Sequence, residues 1–168
     1  MVRISWSVRY VNYCNAHGIL NDQSSAMIDL ARARLERFSH RMSYVIGDAT
    51  AVNVMRQTAE ADTVLTSRMT HMLGAASLLD FYTNLSINLP KLQSVCNIDH
   101  VGGPPKWFNA MFKARFELLE RDKPSSSCWH NQHLPSEADH QESLRQAQFF
   151  DVTPIWKAYY TMAFVAMR

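Results

Sequence analysis

The chain has 168 residues, 47% hydrophobic and 19% charged, which excludes a wholly disordered protein and suits one domain, residues 1–168, with a real core. Its formal net charge of +2 gives no strong basic footprint, so nucleic acid is disfavoured as a partner. Three scattered cysteines, Cys14, Cys96 and Cys128, with no C-x-x-C pair exclude a secreted disulfide scaffold, and no apolar run reaches the roughly 20 residues of a transmembrane span.

Residues 1–21 read as an N-terminal arm, either extended or a short helix. It contains Arg3 and Arg9 and has no acidic residue before Asp22, as in mitochondrial targeting segments. Ile4, Trp6, Val8 and Tyr10 also alternate with polar residues at period two, the pattern of an edge strand.

Residues 24–82 read as a long antiparallel helical hairpin. Ile28, Ala31, Leu35, Phe38, Met42 and Val45 recur at alternating gaps of three and four, one face of a helix that Gly47 would stop. A second long helix follows Asp48, with Val52, Met55, Leu65, Met69, Met72 and Leu79 on one side. The short link between them makes the two helices neighbours.

Residues 83–103 read as a connector, because Asn84, Asn88, Pro90, Asn97 and Gly102-Gly103 are turn and breaker residues. Residues 104–168 supply the remaining helices. A third, aromatic-rich helix carries Trp107, Phe108, Met111, Phe112, Phe116 and Leu119 at helical spacing. A C-terminal helical pair follows: Ser136 with Asp139 caps a polar helix, and Thr153-Pro154 caps a short one, apolar on nearly every side. The fold class expected is therefore all-α.

Four groups of residues carry candidate chemistry. Cys128, His130, His133 and His140 are suitable zinc ligands, but structural zinc sites use two arms and only one is visible here. A second arm would have to come from His71, His100 or Cys96. Glu137-x-x-His140 also spells the helical pair of di-iron bundles, without the second copy those sites need. His100 to Lys106 has the glycines of a phosphate loop, but Pro104 and Pro105 remove the backbone N–H groups an anion would use, and no G-x-G-x-x-G occurs. Asp99-His100 offers an orienter and a base, framed by no catalytic signature.

Arg34, Arg37 and Arg41, on one side of the first helix, are candidates for an anionic lipid or partner surface. Trp156, Tyr159, Tyr160 and Phe164 of the last segment are candidates for a protein–protein contact.

The function expected from these features is a non-catalytic helical accessory subunit, without cofactor, in a multiprotein complex. Its location would be mitochondrial, at the inner membrane, or otherwise cytoplasmic, with other subunits as partners and peripheral contact with anionic lipid. The alternatives are a small zinc- or iron-binding domain or metalloenzyme centred on residues 128–140, and a ribosomal, RNA-associated subunit.

Overall fold

A computed structural model describes residues 16–103, 106–107, 110–111, 114 and 134–168. Its contacts divide the chain into two compact units, residues 1–61 with 87–91 and residues 62–86 with 92–168.

In the first unit, strand β1 (Gly18–Asp22) leads into helix α1 (Ser25–Arg34), a 3-10 turn (Glu36–Arg41) and strand β2 (Met42–Ile46). The strands pair in parallel, Gly18 opposite Met42 and Asp22 opposite Ile46. A parallel pair needs a crossover, and α1 with the 3-10 turn provides it. Ser24 caps α1 by accepting from the Met27 N–H. Leu35 and Phe38 are buried, with Leu20 and Met42 packed against them.

Beyond β2 the chain turns through Gly47 into helix α2 (Val52–Arg56). A Cβ at Gly47 would lie 2.6 Å from Val54 Cγ2, so this close approach requires glycine.

The second unit is built on a sheet in the order β3-β4-β6-β5. Strands β3 (Thr63–Ser67) and β4 (Ser94–His100) are parallel, joined by a 3-10 turn (Thr70–Met72) and helix α3 (Ala75–Asn88). Helix α4 (Glu137–Gln146) then precedes the hairpin of β5 (Asp151–Ala158) and β6 (Thr161–Met167). Strand β6 lies antiparallel to both β4 and β5. It is an interior strand, and Met162, Ala163, Phe164 and Ala166 are all buried. The edge strand β5 carries Pro154 beside a register irregularity, a place where a missing N–H is tolerated.

The all-α expectation is thus overturned: the fold is α/β. The stripe from Ile28 to Val45 does pick out buried residues, but it runs through α1, a 3-10 turn and a strand. Its three-four spacing cannot distinguish that path from one helix, because only the last five residues are in a strand, too few for alternation to show.

The supposed second long helix contains α2, β3 and the start of α3, and Thr63, Val64 and Thr66 are the β-branched residues that favour the strand. Gly74 stands immediately before α3, where its carbonyl accepts from the Leu78 N–H, and does not interrupt a helix.

The connector contains the interior strand β4, hidden by its polar residues. The expected last helix is a hairpin whose two-residue turn holds Tyr159 at φ 55°, so no glycine marks it. Helix α4 starts at the residues expected: Ser136 Oγ accepts from the Asp139 N–H at 3.1 Å, while the Ser136 N–H donates to Asp139 Oδ2 at 2.7 Å. The N-terminal arm up to Asn15 and the third-helix positions Phe108, Phe112, Phe116 and Leu119 lie outside the described residues.

Candidate functional site

Along β4 the buried side chains are Val95, Asn97 and Asp99, so the inward face changes from apolar to polar towards the carboxyl end of the strand. In open α/β sheets, ligands bind at the carboxyl ends of parallel strands. Buried polar groups there need partners, and these have them. Thr66 Oγ1 donates to Asn97 Oδ1 at 2.7 Å, Asn97 Nδ2 donates to Thr70 Oγ1 at 2.9 Å, and Thr70 Oγ1 donates to Asp99 Oδ2 at 2.8 Å.

Asp99 is fully buried and accepts three further hydrogen bonds: from the His71 N–H at 3.1 Å, the His100 N–H at 2.7 Å and His71 Nδ1 at 2.7 Å. Burial alone would push its carboxyl pKa up. The hydrogen bond and charge of His71, with the bonds from Thr70 and the His100 N–H, outweigh it and hold the group below the usual carboxylate range.

A carboxylate only accepts, so His71 carries its proton on Nδ1 and presents the lone pair of Nε2. The His71 side chain is 15% exposed while that of Asp99 is wholly covered, so the imidazole is reachable and its orienting group is not. A histidine held in one tautomer by a buried aspartate is a general base in form.

A second histidine adjoins it. The His71 and His100 ring centroids are 5.3 Å apart, and the His100 ring meets the Tyr160 ring edge-on at 4.7 Å. His100 Nδ1 lies 3.0 Å from Thr161 Oγ1, and Nε2 lies 3.4 Å from Arg68 Nη2. A guanidinium only donates, so Nε2 accepts and the proton of the neutral ring is on Nδ1, donated to Thr161. Arg68, immediately after β3, has φ 57°.

Behind the dyad, the Tyr82 hydroxyl and His140 Nδ1 are 3.0 Å apart. Burial raises the Tyr82 pKa, the Asp99 charge raises it further, and a hydrogen bond from Asn97 opposes both. Burial lowers the His140 pKa to about 4 against the attraction of Asp99 and Asp139.

The sequence-derived candidates fall differently. His140 is wholly buried between Tyr82 and Phe164, whereas Cys128, His130 and His133 lie outside the described residues. Among the described residues no three of His, Cys, Asp and Glu are grouped to hold a metal ion. Of the suggested second-arm ligands, His71 and His100 meet around Asp99. Cys96 stands on β4 at a position alternate to Asn97, and burial raises its thiol pKa.

Arg34 ends α1, while Arg37 and Arg41 belong to the 3-10 turn, their guanidinium carbons 4.6 and 5.5 Å from the Phe38 ring centre. Trp156 and Tyr159 are exposed, but Tyr160 and Phe164 are core residues. Sequence reasoning paired Asp99 with its neighbour His100, whereas the imidazole it holds is His71. The available signal was the alternation of Asn97 and Asp99 within a run whose other positions suit a strand.

No protein-family model matches the chain, and no curated protein does. Solved structures share the fold. A protein described as a possible exported protein from Bordetella parapertussis matches with a TM-score of 0.76 at 13% identity, over 98% of this chain and 59% of that one. An O-methyltransferase family protein from Burkholderia thailandensis matches at 0.65 and 10% identity, over 98% of this chain and 56% of that one. PigF with SAH matches at 0.63 and 15% identity, over 97% of this chain and 47% of that one.

The chain therefore spans a little over or a little under half of each of these structures. The class they define with it is the Rossmann-like α/β fold found in methyltransferases. The expected non-catalytic helical subunit falls with the all-α fold on which it rested, since the structures that share the real fold include enzymes. The leaning against an enzyme and the expectation of no cofactor lose the all-α fold that supported them. Nothing in fold or comparisons supports a mitochondrial or inner-membrane location. Among the described residues, no helix is long and apolar enough to cross a membrane.

Proposed function

We propose that this chain carries part of an S-adenosylmethionine-dependent methyltransferase domain acting on an acceptor hydroxyl, with His71 as its general base. The observation that carries the reading is the His71–Asp99 dyad, set at the carboxyl ends of two parallel strands in a fold shared with an O-methyltransferase family protein and with PigF with SAH.

Support for the cofactor comes from the shared fold, since PigF with SAH has it. When bound, S-adenosylmethionine supplies an electrophilic methyl group.

The chain's own contribution is proton transfer. His71 Nε2 takes the hydroxyl proton as the acceptor oxygen attacks. Asp99 keeps Nδ1–H in place and offsets the imidazolium charge, and its own hydrogen bonds keep it ionised. Thr70 and Asn97 are positioning residues, since they touch Asp99 and each other rather than the acceptor.

The test is SAH binding by calorimetry together with transfer of a labelled methyl group to a panel of phenolic acceptors. His71→Ala should retain SAH affinity and lose about 10²- to 10⁴-fold in transfer rate, the usual range for a general base. Wild-type protein that binds no SAH, or a His71→Ala variant with undiminished transfer, would refute the assignment.

A further inference from the structure

Resting on the methyltransferase reading, we infer that Arg68 makes the acceptor site at the His71–Asp99 dyad selective for an anionic substrate, one bearing a carboxylate beside the hydroxyl to be methylated. Arg68 follows directly on the carboxyl end of β3, three residues before His71 in the chain. Among the described residues, its side chain is given one polar contact, the long 3.4 Å approach to His100 Nε2, and no ion pair.

Asp99, the carboxylate that serves this site, is already saturated. Oδ1 takes His71 Nδ1 and the His100 N–H, while Oδ2 takes Thr70 and the His71 N–H. Arg68 is exposed, and its guanidinium keeps most of its five donors for an anion next to His100. Planar donors of this kind match a carboxylate.

The backbone is a second, independent observation. At φ 57°, Arg68 occupies the left-handed region that glycine favours and a long side chain normally avoids. Its N–H is tied to the Ile98 carbonyl at 3.1 Å, which fixes that conformation against β4. Strain of this sort persists where the surroundings enforce it, and it gathers at ligand sites. Here the strained residue carries a cation, and its side chain reaches His100. His100, with Nδ1–H committed to Thr161, offers Nε2 as a neutral rest for the guanidinium until an anion takes its place.

The experiment follows the ring ¹⁵N resonances of His71 and His100 during titration with benzoate and, separately, with its neutral isostere benzamide. It needs no cofactor and no turnover. Benzoate should bind about tenfold to a hundredfold more tightly, the range given by one charge-assisted hydrogen bond. Arg68→Lys, which keeps the charge without the planar fork, should keep only part of that preference, whereas Arg68→Gln and Arg68→Gly should abolish it. The glycine variant relieves the backbone strain, so a well-folded protein is expected from it. Equal affinity for the two probes in the wild type, or a preference that survives in Arg68→Gln, would overturn the proposal. A preference for benzoate in a protein without methyl transfer would refute only the methyltransferase reading, and transfer without the preference would refute only this one.

Discussion

His140 is wholly buried beside Tyr82 and Phe164, with Nδ1 at the Tyr82 hydroxyl, and Nε2 has no hydrogen-bond partner among the described residues. Burial, partly opposed by the charges of Asp99 and Asp139, lowers its pKa from 6.5 to about 4. In the unfolded chain it takes up a proton near pH 6.5, and in the folded protein only near pH 4. Between these values the unfolded state binds more protons, so stability must fall as pH falls. The full separation amounts to roughly 3 kcal/mol at about 1.4 kcal/mol per pH unit, and roughly 2 kcal/mol of that is spent by pH 5. Urea unfolding at pH 7.5, 6 and 5 at constant ionic strength, on wild type and His140→Gln, isolates this contribution because every other titrating group is common to both. The wild type should lose about 2 kcal/mol more than the variant between pH 7.5 and 5. Parallel pH profiles would show that His140 titrates normally and that its burial is not what the structure describes.

Asp99→Asn should cost about 3 kcal/mol or more in urea unfolding, since an amide cannot accept from all four donors that converge on the carboxylate. It should also reduce methyl transfer through misorientation of His71, without changing SAH affinity. Gly47→Ala places a Cβ 2.6 Å from Val54 Cγ2 and should destabilise by about 1–3 kcal/mol, with partial recovery when Val54→Ala is added, measured by thermal unfolding. Ser136→Ala removes the cap of α4 and should cost about 1 kcal/mol in chemical denaturation, with no effect on SAH binding.

Burial was more legible in the sequence than secondary structure. Ile28, Ala31, Leu35, Phe38 and Val45 are all core residues, yet the period that identified them spans a helix, a turn and a strand. Strands of five to eight residues give an alternation little evidence to work with, and interior strands such as β6 erase it, because both faces are covered. The α4 cap was readable because a capping box is local, made by Ser136 and Asp139 alone. The dyad was not, because His71 and Asp99 are brought together only by the parallel pairing of β3 with β4, and the intervening helix conceals that pairing in the sequence. Polar residues on a buried strand face looked like loop chemistry because the partners of Asn97 and Asp99, namely Thr66, Thr70 and His71, are far away in the sequence.

The placement of β6 has a consequence for how the protein is made. The last strand in the chain is second to last in the sheet, so Ser94 must wait for Met167 before β4 gains its second neighbour. Such distant pairing is slow to form. While it waits during synthesis, β4 presents a bare row of N–H and C=O groups to any other extended chain. A ribosome stalled short of Thr161 would therefore hold a nascent chain with an unprotected sheet edge, and a holdase chaperone would be needed until Met167 has emerged.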